Sequence, residues 1–142
     1  MPCVHRPARA LLLACLLAGC VRDDGADPGL SAAGAGHGTI EWRGSLPCAD
    51  CEAIDTRLVL QRDAGAQRYE LVEVYVAVDG SMSFEERGEW RLHHALLSLE
   101  PDTGGLRRYR VVHGGALQVR DMGGRPFPGR DGDLLQPVSR QP

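Results

Sequence analysis

Between Gly38 and Arg120 apolar and polar residues alternate with a period of two, in short runs separated by Gly- and Asp-rich turns. Phe84–Leu92 shows the pattern most plainly. Phe84, Glu86, Gly88, Trp90 and Leu92 share one face, while Glu85, Arg87, Glu89 and Arg91 share the other. Successive side chains of a strand point to opposite faces, so this run predicts a half-buried antiparallel strand with a wet outer face. The same period centres 38–44 on Ile40 and Trp42, 56–62 on Leu58 and Leu60, and 95–100 on Leu97 and Leu99. In 106–113 it sets Tyr109 and Val111 against Arg108 and Arg110, and Leu117 and Val119 continue it. Residues 69–78 differ. Tyr69, Leu71 and Tyr75 lie on one face, yet Val72, Val74, Val76 and Val78 line the other. Two apolar faces require either a cover over the outside or a bulge that shifts the register.

Turn chemistry falls between the runs, at Asp63-Ala-Gly65, Asp79-Gly80, Asp102-Thr-Gly-Gly105, His113-Gly-Gly115 and Met122-Gly-Gly124. Such residues supply the backbone angles that tight hairpins need. Seven short strands joined by hairpins, with no long helical period, predict an all-β fold, a small antiparallel meander. Closure into a barrel is favoured because it removes exposed sheet edges. A barrel of about eight strands has an interior that side chains fill or that holds one small ligand.

The first residues follow another pattern. Arg6 and Arg9 precede the apolar run 10–19, ALLLACLLAG, which is the order of a secretion signal. That run is about half of the roughly 20 residues that a membrane-spanning helix requires. Leu17-Ala18-Gly19-Cys20 matches the lipobox of bacterial lipoproteins, which places cleavage before Cys20 and a lipid on its sulfur. Residues 1–19 therefore read as signal peptide, and Cys20 as the lipid attachment site that makes membrane lipid a partner. Several acyl chains anchor firmly where one binds only marginally. Residues 21–36 are mostly Gly, Ala and Asp without apolar periodicity and read as a flexible tether, spanning roughly 20–25 Å as a coil. The barrel is expected over 37–128. Residues 129–142 contain only Leu134, Leu135 and Val138 as apolar residues beside Pro137 and Pro142, and predict a weakly structured tail.

Charge narrows the partners. All 16 basic residues are Arg, and loss of Arg6 and Arg9 leaves 14 against 19 Asp and Glu, a net charge of −5. An acidic body is unsuited to nucleic acid or to an anionic membrane surface.

Cys3 and Cys15 leave with the signal and Cys20 carries lipid, so Cys48 and Cys51 are the thiols of the folded part. In Ser45-Leu-Pro-Cys48-Ala-Asp-Cys51-Glu-Ala-Ile54, Pro47 and the helix-tolerant CADCEAI predict a short CxxC helical turn after the first strand. Positions three apart on such a turn face the same side, which lets the sulfurs meet. Four chemistries fit the pair. One is a structural disulfide, favoured by the oxidising compartment that secretion implies. A second is a copper or zinc site, since two thiolates suit Cu(I) or Zn. Its remaining ligands would come from His37, His93, His94, His113, Met82 or Met122, which show no metal-ligand spacing. A third is thiol–disulfide exchange, opposed by the missing βαβ pattern and by Asp50 and Glu52, whose charge disfavours a thiolate. The fourth is a signalling switch between dithiol and disulfide. The chain has no Gly-rich phosphate loop, GxSxG or HExxH, and no catalytic residue is assigned.

Trp42-Arg-Gly44-Ser-Leu46-Pro47-Cys48-Ala49-Asp50-Cys51-Glu52-Ala53-Ile54-Asp-Thr56 resembles the Tyr/Trp-x-Gly-x-Leu-Pro-Cys-Ala-Asp-Cys-Glu-Gly-Ile-x-Thr segment of the NlpE N-terminal domain family. The likeness continues through Tyr69-x-Leu71, Tyr75, Phe84-x-x-x-Gly88-x-Trp90, Leu97-x-Leu99, Tyr109 and 117–123. The resemblance implies a lipocalin-like barrel with the CxxC near one end, anchored at the periplasmic face of the outer membrane. Val21 after Cys20, rather than Asp, agrees with that membrane. It also implies a link to copper resistance, and activation of an envelope stress response through an inner-membrane sensor kinase or another envelope protein, without enzymatic activity. Ala53 stands where the family has Gly. Fuller members carry a second, OB-fold domain after the barrel, whereas this sequence ends near the barrel's edge, so roles resting on that domain are not carried over. A binding module for a small apolar ligand or for copper or zinc is the alternative function.

Overall fold

A computed structural model of the chain describes residues 37–138. The expected signal peptide over 1–19, the expected lipid attachment at Cys20 and the expected tether over 21–36 lie outside the described residues. Eight strands follow one another around a closed antiparallel barrel: β1 (Gly38–Leu46), β2 (Ala53–Asp63), β3 (Ala66–Ala77), β4 (Gly80–His93), β5 (Leu96–Pro101), β6 (Arg107–Val111), β7 (Leu117–Arg120) and β8 (Leu134–Pro137). The meander expected from the periodicity is the observed fold.

The inward positions make one core. Trp42, Leu58, Leu60, Leu71, Trp90, Leu97, Leu99, Leu117 and Leu135 are almost wholly buried. Both indoles are satisfied inside it: Trp42 Nε1–H donates to the Gly115 carbonyl (2.8 Å) and Trp90 Nε1–H to the Gln61 carbonyl (3.0 Å). The first bond ties Trp42 to the β6–β7 turn and the second ties Trp90 to β2, so the buried indoles fill the half of the barrel nearest the β2–β3, β4–β5 and β6–β7 turns, its closed end. Gly88 shows why a glycine precedes Trp90 by two. A Cβ there would sit 2.0 Å from the Glu100 carbonyl oxygen of β5, so only glycine admits this strand approach.

The register of β3 resolves its two apolar faces. It pairs without interruption with β2 (Ala53↔Val76 to Asp63↔Ala66) and with β4 (Arg68↔Glu89 to Ala77↔Gly80), so no bulge is present. The outer valines Val72 and Val74 are instead half-covered, sharing a surface hollow with Arg43 and Arg57. Arg57 belongs to a run of ion pairs across the outer face, from Glu41 (3.0 Å) to Glu70 (3.3 Å), which Arg87 joins (3.2 Å). Single exposed pairs of this kind contribute little each.

Two expectations are corrected. The segment 129–142 is not wholly a loose tail: Leu134–Pro137 form β8, which pairs with β7 and β1 and closes the barrel, with Leu135 fully buried. The CxxC segment forms bends rather than a helical turn. The Glu52 N–H, which a helical turn would aim at the Cys48 carbonyl, instead donates to the Val76 carbonyl of β3 (2.8 Å).

Candidate functional site

The functional features collect at the opposite, open end, where the β1–β2, β3–β4, β5–β6 and β7–β8 connections lie. Cys48 and Cys51 sit on its rim and are joined by a disulfide, their Cα atoms 5.2 Å apart. The pair is thus oxidised in this structure, and sulfurs so joined are not thiolates. His37, His93, His94 and His113 all lie at the closed end, on or beside its turns, away from the cysteines. Met122 is exposed in the β7–β8 connection. Met82 alone of these candidates shares a groove with Cys48 and Cys51, a hollow of about 680 Å³ between the CxxC bends and the β3–β4 hairpin. No group of three or more His, Cys, Asp or Glu side chains is arranged to hold a metal among the described residues.

Beside that groove the barrel wall is incomplete. β4 pairs with β3 from Ala77↔Gly80 to Arg68↔Glu89, but with β5 only from Gly88↔Pro101 to His93↔Leu96. Along 81–87 the flank of β4 turned away from β3 has no strand beside it. A cleft of about 870 Å³ lies there, bounded by Met82, Phe84, Glu85, Glu86 and Arg87 on one side and Asp102, Thr103 and Arg107 on the other, with Leu71, Glu73 and Tyr75 behind. Phe84 and Met82 are half or more exposed although they sit on the inward face, and Phe84 packs edge-on against Tyr75 at 5.2 Å.

The cleft's inner wall is charged. Arg107 Nε–H donates to both oxygens of Glu86 (3.1 Å each), and its Nη1 and Nη2 donate to the two oxygens of Glu73 (3.2 Å each). The Tyr69 hydroxyl donates to Glu86 (2.8 Å). Glu73 is 8% exposed. Burial pulls the Arg107 guanidinium down, but the charges of Glu73 and Glu86 outweigh it and hold the pKa above its ordinary value. Burial, then the bond to Glu86, pushes the Tyr69 phenol well above its usual range, and burial does the same for Tyr109. Both hydroxyls stay protonated at neutral pH, and that of Tyr69 is spent as a donor on Glu86. Near the mouth, Arg68 grips Asp102 through both carboxylate oxygens (3.1 and 2.6 Å). This arrangement presents apolar rings, fixed charges and donors, which is the equipment of a binding surface.

The charged wall was not singled out from the sequence, though its signal was there. Glu86 lies on the face of Phe84 and Trp90, Glu73 between Leu71 and Tyr75, and Arg107 on the face of Tyr109. Charged residues at inward positions of a small barrel must find one another.

Comparison with known proteins gives this end of the barrel a context. Lipoprotein NlpE of Escherichia coli (strain K12) is 38% identical over 87 residues, covering 61% of this chain and 35% of that protein. The match spans about a third of the relative's length. The crystal structure of the Cpx pathway activator NlpE from Escherichia coli superposes with a TM-score of 0.55 at 32% identity, covering 72% of this chain and 52% of that one. The family model described as the NlpE N-terminal domain matches residues 42–130, the CxxC segment and the cleft included, and the chain belongs to that family.

Proposed function

We propose that this chain is a lipid-anchored, non-catalytic lipoprotein of the bacterial envelope that reports envelope stress, copper stress included, through protein contacts made at the open end of its barrel. The observation that carries the reading is the coincidence of family and geometry: the matched region contains a lateral cleft with exposed Phe84 and Met82 beside an intact Cys48–Cys51 disulfide. A protein named for activating the Cpx pathway shares that region at 32% identity. Anchoring rests on the Leu-Ala-Gly-Cys20 motif, and the periplasmic face of the outer membrane on the resemblance together with Val21. The partner is an inner-membrane sensor kinase or another envelope protein.

Two measurements test this. The intact mass of protein extracted from membranes should begin at Cys20 with acyl chains attached, and should rise by two hydrogens on reduction. An envelope-stress reporter should respond to copper or to lipoprotein mistrafficking in cells carrying the gene. Equal responses in cells lacking it would reject the signalling role.

A further inference from the structure

The side of β4 that borders the cleft is an open sheet edge inside an otherwise closed barrel. The Arg87 carbonyl accepts a bond from the Asp102 N–H, across the gap from β3. Backbone groups along a strand turn to the same side at every second residue, so Ser81, Ser83 and Glu85 also direct their N–H and C=O groups into the gap. The adjoining inward side chains are Met82 and Phe84, which stay exposed, and the cleft walls hold four carboxylates against two guanidiniums. Even with Arg68, which grips Asp102 from outside, the negative charge is in excess.

We infer that this gap is the seat of an added strand: an extended segment of a partner protein, alternating apolar and basic residues, pairs with 81–85 of β4 and fills the cleft. Its backbone would complete the ladder with Ser81, Ser83 and Glu85. Its apolar side chains would cover Phe84 and Met82, and its cations would meet the excess of carboxylates. Strand addition gives affinity through the main chain and selectivity through alternate side chains. An edge of this length with exposed rings is otherwise an aggregation hazard, which a regular occupant removes. The inference rests on the reading of this chain as a protein-contact module and adds where, and to what chemistry, the contact is made.

The test uses the full mature chain and two fluorescent peptides, one alternating Arg and Leu and one alternating Glu and Leu. The basic peptide should bind saturably at low salt, and the acidic one more weakly by on the order of tenfold. Ser83→Pro removes one donor from the gap side and leaves the β3 ladder intact, since Pro is tolerated where its missing N–H faces outward from an edge. It should weaken the basic peptide by on the order of tenfold or more while the melting temperature holds. If that variant unfolds, residue-resolved amide exchange of the unaltered protein decides instead. Protection of the Ser81, Ser83 and Glu85 amides by the peptide is expected. Absence of protection, equal binding by Ser83→Pro, or a cleft that takes dodecylamine but neither peptide overturns the proposal, the last in favour of a small amphiphile. A stress reporter keeps the two readings apart. A full response from Ser83→Pro rejects this site while leaving the signalling role, and no response from the unaltered protein despite peptide binding rejects the role while leaving the site.

Discussion

Arg107 stands between two inward carboxylates, and its removal is the most informative change to the cleft wall. Arg107→Met keeps most of the aliphatic stem and deletes the guanidinium. Four donor–acceptor contacts of 3.1–3.2 Å disappear, and Glu73, 8% exposed, is left facing inward beside Glu86 with no counter-charge from Arg107. Breaking a fully buried pair costs about 3–5 kcal/mol. The Arg107 side chain is 39% exposed and that of Glu86 22%, so water screens part of the loss. Discounted for that screening, the penalty should be roughly 2 kcal/mol, about 10 °C in melting temperature for a domain of this size. Urea unfolding followed by the fluorescence of the buried Trp42 and Trp90 measures it. The double variant Glu73→Gln/Arg107→Met separates uncompensated charge from lost packing. If charge is the cause, the second substitution recovers on the order of half the penalty. A single variant within 0.5 kcal/mol of the parent, or a double variant no better than the single one, would refute the electrostatic argument.

Gly88→Ala forces a Cβ toward a carbonyl oxygen 2.0 Å away, so β5 must shift; a loss of about 3 kcal/mol or more is expected in the same urea assay. Replacing both Cys48 and Cys51 by Ser should cost roughly 2 kcal/mol, since the closed loop is short, and should leave the far-UV circular dichroism of the barrel unchanged. The Glu41 carboxyl is held below its ordinary 4.5, first by its hydrogen bond from Arg57. A carboxyl lowered in the folded state stabilises above its unfolded pKa and stops doing so as pH falls through the folded one. The melting temperature should therefore fall below about pH 4.5, and Glu41→Gln should flatten that acid limb; an unchanged limb would remove Glu41 from the explanation.

Much of this fold was legible because most strands bury one face and wet the other, which writes a period of two directly into 38–44, 56–62 and 84–92. β8 was not legible for a physical reason. Four residues ending in a proline are too short to show a period, and the strand exists through its partners, with Leu135 seated against Leu117 of β7. The CxxC bends were not legible because local propensity favours a helical turn there, whereas the Glu52 N–H is taken by the Val76 carbonyl of β3, a partner 24 residues away. The inward positions of Glu73, Glu86 and Arg107 were readable from alternation. Their meeting was not, since Arg107 and Glu73 are 34 residues apart and touch only once the barrel closes. The gap along β4 is likewise a property of strand lengths: a strand of 14 residues lies beside one of 6.

The central claim is that the open end of an anchored barrel is its signalling surface. It is tested most directly by an envelope-stress reporter read in cells carrying, at equal abundance, either Phe84→Asp at the cleft or His113→Asp on the closed-end turn. The account expects the Phe84 variant to lose most of the response and the His113 variant to keep it; a response that survives Phe84→Asp and fails with His113→Asp would contradict it.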